Sequence, residues 1–308
     1  MRRMIAASVA RRIALKKMGA GALALAAPMQ VLAAVSDAGK PLVKARRIVS
    51  VGGALTEIVY ALEAQGELVG VDTTSLYPAV AQQLPQVGYA RTLSAEGVLS
   101  LAPTQLIATE EAGPQTVLRQ VRDAGVPVAV LNANNRFEGL LERVKQVGQI
   151  TGRADPAARL AQALQQQWDG ALGKVRQRSH APVRVLFILA HAPNQVMVGG
   201  RETGADAMLA YAGAVNVMGG QGGFAGYKPL TPEAVIAARP DLVLVTDQGL
   251  KASGGVDGIL KLPGLAQTPA GRKHRIVSLE AMLLLGFGPR MPQALAELDA
   301  AFAKAMAA

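Results

Sequence analysis

A long amphipathic segment without an internal proline divides this chain and restricts the folds open to it. Between Ala157 and Arg178, apolar residues recur every three or four positions, which is the spacing of one helix face. These apolar positions are Leu160, Leu164, Trp168, Leu172 and Val175. Asp155 is the predicted N-cap and Pro156 the predicted first helical residue. At about 1.5 Å per residue the helix is roughly 30 Å long, so it can join two folded halves as a strut.

Short apolar strands alternate with amphipathic helices on both sides of this segment. The predicted strands are 47–51, 68–71, 105–109, 126–131, 184–189, 242–245 and 276–279, and helices are predicted over 137–151, 205–211 and 292–306. Such alternation favours mostly parallel sheets covered on both faces. We therefore predict an α/β fold with two Rossmann-like lobes joined by a single long interlobe helix. The predicted boundaries are 45–152 for the N-terminal lobe, 153–179 for the connecting helix and 182–308 for the C-terminal lobe.

An internal repeat indicates that the two lobes are related. Residues 94–109 align without gaps on residues 231–246, and both segments contain a capping residue, a short helix, a proline and an apolar strand. Ser94 and Thr231 are the predicted caps, because a hydroxyl oxygen can accept a hydrogen bond from the first turn of a helix. Chance similarity between two helix-proline-strand units is the alternative explanation.

The first 33 residues are predicted to be an export signal. Residues 1–17 carry six basic and no acidic side chains, and an apolar run over 18–27 follows them. That run is short and rich in small residues, which disfavours a membrane anchor. Cleavage is expected after Ala33, with Ala34 as the alternative. Arg11 and Arg12 resemble the pair in a twin-arginine signal, and the choice between that pathway and general secretion stays open.

Composition argues against several classes of function. The chain has 32 basic and 22 acidic residues, and removal of the six basic residues in the signal leaves 26 against 22. No dense basic stripe with interleaved aromatics is present, so nucleic acid is not an expected partner. The absence of cysteine excludes disulfides, thiolate metal sites, cysteine nucleophiles and lipid attachment at an N-terminal cysteine. The common phosphate-binding, serine-hydrolase and zinc-protease motifs are also missing, and no enzymatic activity is expected.

A polar loop over residues 71–78 is the leading candidate for ligand binding. It follows an apolar strand and ends in Tyr77 and Pro78. Proline biases the preceding residue toward an extended backbone, which can project the Tyr77 ring outward. Thr74 and Ser75 are expected to line the cleft beside it. The alternative is a tyrosine packed at a strand end with its hydroxyl satisfied locally.

Two further segments are expected to face the same cleft. Residues 223–230 form a second polar and aromatic loop that contains Tyr227 and Lys228. His191 follows the predicted strand 184–189, at the end where parallel strands deliver loops to a cleft. A role other than metal ligation is the alternative for His191.

These motifs resemble those of the substrate-binding proteins of bacterial ABC importers that carry both lobes on one long helix, and among them the periplasmic haem-binding proteins. The resemblance runs from about Arg47 to the end of the chain. It rests on four segments, which are 47–50 with Thr56 and Glu57, 69–78, 88–97 and 226–234. It implies a periplasmic, monomeric haem carrier that delivers its cargo to an inner-membrane ABC permease, with an outer-membrane haem receptor upstream.

The resemblance also implies how the haem iron is held. Tyr77 matches the tyrosine that ligates iron in these proteins, and ferric iron favours a deprotonated phenol as its ligand. Some members add a histidine from the second lobe, and His191 lies in the matching region. Ala192 and Pro193 follow it where glycines are expected.

Roles for the charged candidates follow from the same resemblance. Arg91 and Lys228 are expected to support the phenolate or to pair with haem propionates, and arginine is the better partner for a carboxylate. Glu96 and Glu233 hold matching positions in the repeat and correspond to the acidic residues that dock each lobe onto the permease. Ordinary surface bases, and carboxylates that complement a helix dipole, are the alternatives. A siderophore or cobalamin carrier on the same scaffold is the alternative function, and the number of haems per cleft stays open.

Overall fold

The structure is a computed structural model, and it describes residues 45–178, 181–192, 195–220 and 222–307, without the side chains of 190–192 and 195. The predicted export signal over 1–33 lies outside the described residues. Within the described ranges, no helix combines the length and apolarity needed to cross a membrane.

The N-terminal lobe is built on a parallel sheet. Its elements are β1 (Ile48–Val51), α1 (Gly53–Ala61), β2 (Leu68–Val71), α2 (Ala95–Leu99), β3 (Gln105–Thr109), α3 (Gln115–Asp123), β4 (Val128–Leu131) and α4 (Phe137–Thr151). The strand order is β2-β1-β3-β4, and each neighbouring pair is parallel. The carboxyl ends of these strands therefore share one edge of the sheet, which is the edge that bears the loop after β2.

The C-terminal lobe has a mixed sheet. Its elements are β5 (Arg184–Ala192), β6 (Gln195–Gly199), α6 (Gly204–Tyr211), β7 (Val215–Asn216), β8 (Tyr227–Pro229), α7 (Pro232–Ala238), β9 (Leu242–Thr246), α8 (Asp247–Ala252), α9 (Gly255–Leu260), α10 (Pro269–Arg272), β10 (Ile276–Leu279), α11 (Ala281–Leu285) and α12 (Met291–Ala307). The order is β10-β9-β5-β6-β8, with β7 beside β5. Strands β10, β9 and β5 are parallel as predicted, whereas β6 and β8 extend the sheet in antiparallel fashion, which the sequence did not predict.

The connecting helix α5 spans Ala154–Arg176 and confirms the predicted strut. The predicted cap is wrong, because Arg153 precedes the helix without a side-chain capping bond and Asp155 lies inside the first turn. The helix start is fixed by tertiary contacts instead. The Arg153 guanidinium donates to Glu67 at 2.6 Å and to the Thr151 carbonyl at 3.0 Å, which holds the corner between α4 and α5.

The apolar core is continuous across α5 and both lobes. Trp168 of α5 is only 3% exposed. Its ring stacks on Phe137 of α4 with centroids 4.6 Å apart, and meets Tyr211 of α6 edge-on at 4.8 Å. One aromatic side chain therefore packs against helices of both lobes.

The repeat predicted from the sequence is present as two equivalent helix-strand units. Ser94 accepts a hydrogen bond from the Gly97 amide at the start of α2, and Thr231 accepts one from the Ala234 amide at the start of α7. Both capping predictions are confirmed. The strands that follow, β3 and β9, pair with the equivalent strands β1 and β5 of the two sheets.

Candidate functional site

The loop after β2 is organised by a buried carboxylate, Asp72. Its Oδ1 accepts hydrogen bonds from the Gly52 amide at 2.8 Å and from the Ser75 hydroxyl at 3.1 Å. Its Oδ2 accepts from the amide and the hydroxyl of Thr74, at 3.1 and 2.7 Å. Four donors on one carboxylate satisfy the buried charge and fix the backbone of the loop against the end of β1.

Ser75 and Thr74 hold the loop in place from within. The expectation that Ser75 lines the cleft is wrong, because its side chain is 1% exposed and its hydroxyl lies 2.7 Å from that of Thr56. The Thr74 hydroxyl accepts a hydrogen bond from the Gly53 amide at 2.9 Å. A Cβ on Gly53 would lie 2.3 Å from the Thr74 carbonyl oxygen, so this close approach requires glycine.

Tyr77 projects from this rigid loop into solvent. Its side chain is 49% exposed, which is unlike a tyrosine packed at a strand end. Leu76 and Val80, beside it in the chain, are also exposed apolar residues. The loop therefore presents an exposed phenol with two exposed apolar side chains close to it in the chain.

A residue that the sequence analysis missed, Arg290, lies against the Tyr77 ring. Its guanidinium carbon is 4.1 Å from the ring centroid, within the range of a cation–π contact. The same guanidinium donates to Glu57 at 2.6 and 3.0 Å and to Glu280 at 3.2 Å. Burial raises the pKa of Glu57, and the hydrogen bonds and charge of Arg290 oppose that rise.

Arg290 had no recognisable signal in the sequence. It follows Gly288 and Pro289, a pair that indicates a turn ahead of α12 and nothing more. Its partner Glu57 is 233 residues away in the sequence. Only the close approach of the turn before α12 to α1 brings the two side chains together.

The two bases predicted from the sequence lie on the surface and contact other groups. Arg91 forms an ion pair with Glu111, and both side chains are more than half exposed. The Lys228 ammonium lies 4.9 Å from the centre of the Phe224 ring. Exposed ion pairs contribute at most about 1 kcal/mol, so a ligand carboxylate can replace Glu111 at Arg91 at little cost.

Tyr227 is in β8 and is mostly covered. Its ring meets Phe187 edge-on with centroids 6.4 Å apart. Burial, reinforced by the charge of Glu111, raises the pKa of Tyr227 to about 12, while a hydrogen bond with Thr203 and the charge of Arg91 act in the opposite direction. Tyr227 is therefore a neutral phenol at pH 7 and supplies packing and hydrogen bonding.

Replacement of Tyr227 by phenylalanine is expected to remove part of the protein's sensitivity to alkali. The raised pKa means that the folded state holds this proton more tightly than the unfolded state. The contribution of Tyr227 to the free energy of unfolding is thus fully present below pH 10. It falls by about 2 kcal/mol between about pH 10 and 12. Urea unfolding of wild type and Tyr227→Phe at pH 9 and pH 11.5, followed by tryptophan fluorescence, measures the difference. Equal losses in both proteins would contradict this assignment.

His191 lies in the last part of β5, and not in a loop beyond it as predicted. The strand continues to Ala192, and its register against β6 shifts between Ala190 and Ala192. Such a bulge changes the direction of local side chains. The His191 side chain lies outside the described residues, so its role as a ligand stays a prediction.

Glu96 and Glu233 are both exposed and lie in the first turns of α2 and α7. Among the described residues, neither takes part in an ion pair. Their carboxylates are thus available to a partner on two equivalent helix starts, one in each lobe.

Two α/β lobes on one long helix, with an exposed loop at the sheet edge of the first lobe, are the architecture of bilobed substrate-binding proteins. Residues 48–283 match the family described as periplasmic binding protein, and this chain belongs to that family.

Solved structures of similar proteins cover nearly the whole described chain. The apo form of the periplasmic haem-binding protein RhuT from Roseiflexus sp. RS-1 is 44% identical, with a TM-score of 0.82 over 85% of this chain and 99% of that chain. The periplasmic haem-binding protein BhuT, solved in complex with two haems, is 45% identical, with a TM-score of 0.81 and the same coverage.

More distant relatives carry other descriptions. An uncharacterised ABC transporter substrate-binding lipoprotein of Bacillus subtilis, YvrC, is 27% identical over 82% of this chain and 78% of its own length. A vitamin B12-binding protein of Pectobacterium atrosepticum is 24% identical over 65% of this chain and 71% of its own length.

Proposed function

We propose that this protein binds haem between its two lobes in the periplasm and delivers it to an inner-membrane ABC permease. The observation that carries the proposal is the exposed Tyr77 ring, held by the N-terminal lobe and touched by Arg290 of the C-terminal lobe. The similarity to haem-binding proteins at 44 and 45% identity supports it.

The chemistry of this loop suits ferric haem as a transported ligand. Tyrosine is one of the side chains that hold haem iron in proteins, and a phenolate oxygen is a hard donor that suits ferric iron. Leu76 and Val80 offer apolar surface for the porphyrin next to Tyr77. The network around Asp72 keeps the loop rigid, so the phenol is held ready for the iron.

The surrounding charges complement the haem periphery. Arg91 and Lys228 are exposed bases that we assign to the haem propionates. Without haem, Arg91 pairs with the Glu111 carboxylate instead. His191 is the proposed second axial ligand, from the C-terminal lobe. None of these residues is assigned a catalytic role, and the proposed activity is binding and transfer.

Cobalamin is the second candidate ligand, because some of the relatives are described as vitamin B12-binding proteins. An exposed phenol under a guanidinium favours an iron porphyrin with an open axial position. Equilibrium dialysis of the purified protein against ferric haem and against cyanocobalamin separates the two. We expect saturable retention of haem alone. Retention of cobalamin without retention of haem would overturn the proposal.

The exposed carboxylates of Glu96 and Glu233 are the proposed docking contacts for the permease. Replacing both with alanine is expected to reduce haem uptake at least about tenfold, because each lobe loses a charged contact with the partner. The measurement is haem uptake into vesicles that contain a haem-importing ABC permease, with haem affinity determined in parallel and expected to stay unchanged.

A matched control is the double variant Glu138→Ala with Asp257→Ala. Both are exposed acids in the first turn of a helix, one in each lobe, so they reproduce the change in charge and helix-dipole complementation. Glu138 also pairs with Arg136, but both side chains are two-thirds exposed and such a pair contributes at most about 1 kcal/mol. Normal uptake with the Glu96 and Glu233 variant, or an equal loss in the control, would refute the docking assignment.

A further inference from the structure

Arg290 is held by rigid groups from both lobes. It lies immediately before α12 in the C-terminal lobe and bonds Glu280, whose two carboxylate oxygens also cap α11 by accepting from the Met282 and Leu283 amides at 2.7 and 2.8 Å. On the other side it makes a two-pronged ion pair with Glu57 of α1. The Glu57 and Arg290 side chains are only 4% and 16% exposed. The guanidinium therefore has little freedom to move.

The turn that carries Arg290 is packed tightly on the N-terminal lobe. A Cβ on Gly288 would lie 3.2 Å from the Ala54 Cα and 3.3 Å from a Glu57 carboxylate oxygen. The close approach of this turn to α1 determines the position of the Arg290 guanidinium. In that position the guanidinium contacts the Tyr77 ring, and about half of the Tyr77 side chain stays exposed.

We propose that Arg290 is a positioning residue for the iron-binding tyrosine, an inference that rests on the proposed function. The guanidinium covers one face of the Tyr77 ring and fixes its direction, while the rest of the side chain stays open to the ligand. Because Arg290 belongs to the C-terminal lobe, the direction of the phenol depends on the contact between the lobes. When ferric iron is bound to the phenolate oxygen, the same guanidinium supplies a countercharge against the ring.

A purely structural role for Arg290 would consist of stabilising the contact between the lobes through Glu57. The two roles differ in what they change. Loss of a positioning contact alters the iron–phenolate bond of the folded, haem-loaded protein, whereas loss of an ion pair alters only the free energy of unfolding. Residues that support a metal ligand typically change metal affinity about 10- to 100-fold when removed.

The experiment compares haem-loaded wild type with Arg290→Gln, Arg290→Lys and the double variant Glu57→Gln with Arg290→Gln. The double variant removes the buried Glu57 carboxylate together with its guanidinium partner, and Glu280 keeps its hydrogen bonds from the Met282 and Leu283 amides. It is therefore the variant to compare if Arg290→Gln alone does not fold. Arg178→Gln is the matched control, because it removes a largely buried ion pair between Asp299 of α12 and the residue two positions after the end of α5. The readouts are the phenolate-to-iron charge-transfer band and the rate of haem dissociation.

We expect the double variant to shift the charge-transfer band and to release haem about tenfold faster, and Arg290→Lys to recover part of both effects. Arg178→Gln is expected to change neither. An unchanged band and an unchanged dissociation rate in the folded double variant would overturn the proposal. Tyr77→Phe distinguishes failure of the proposed function from failure of the positioning role. If neither wild type nor Tyr77→Phe shows the charge-transfer band, the proposed function is refuted. If the band is lost in Tyr77→Phe but unchanged in the Arg290 variants, only the positioning role is refuted.

Discussion

Tyr77→Phe is expected to weaken the binding of ferric haem by more than about 100-fold. The substitution removes the phenol oxygen and keeps the ring, so the apolar contact and the contact with Arg290 are retained while the iron ligand is lost. Groups that only support a metal ligand already change affinity about 10- to 100-fold, and loss of the ligand itself exceeds that range. The affinity is measured by transfer of haem from the loaded protein to an excess of apomyoglobin.

Tyr89→Phe is the matched control for this substitution. Tyr89 belongs to the same lobe and is 44% exposed, close to the 49% of Tyr77, but it lies outside the loop that Asp72 organises. Its replacement is expected to change haem transfer less than about threefold. A larger effect at Tyr89 than at Tyr77 would show that the wrong phenol has been assigned to the iron.

Trp168→Ala is expected to lower the free energy of unfolding by about 3 to 5 kcal/mol. The indole is almost fully buried between Phe137 and Tyr211, so its removal leaves a cavity where α5 joins the two lobes. Because Trp168 is the single tryptophan of the chain, unfolding is followed by circular dichroism and not by fluorescence. Trp168→Phe, which keeps an aromatic ring in the stack, is expected to lose clearly less. A loss below about 1 kcal/mol in Trp168→Ala would contradict the role of α5 as the shared core element.

Local patterns predicted most of the fold. The strands β2, β3 and β10 begin and end at the predicted residues, because glycine, proline and the apolar period are signals read within one segment. The antiparallel strands β6 and β8 were not predicted. Both strands border glycine-rich segments, and β8 has only three residues. Their place in the sheet is decided by the pairing of β6 with β5 and of β8 with β6 rather than by their own composition.

The candidate site could be predicted from the sequence only where it depends on residues that are neighbours in the chain. The strand before Tyr77 and the proline after it indicated an outward-facing ring, which the structure shows, and its role as iron ligand stays a prediction from the family resemblance. The inward direction of Ser75 was missed, because it is set by the buried acceptor Asp72 and by Thr56 in α1. Arg290 could not be found at all, since its contacts with Glu57 and Tyr77 exist only after the two lobes have packed.

Titration of the apoprotein with ferric haem, followed by absorbance, is the most direct test of haem binding through Tyr77. We expect saturation at a whole-number ratio of haem to protein and a high-spin or mixed-spin ferric spectrum with a phenolate charge-transfer band that disappears in Tyr77→Phe. A spectrum that stays like that of free haem and never saturates, or one that is identical in wild type and Tyr77→Phe, would contradict it.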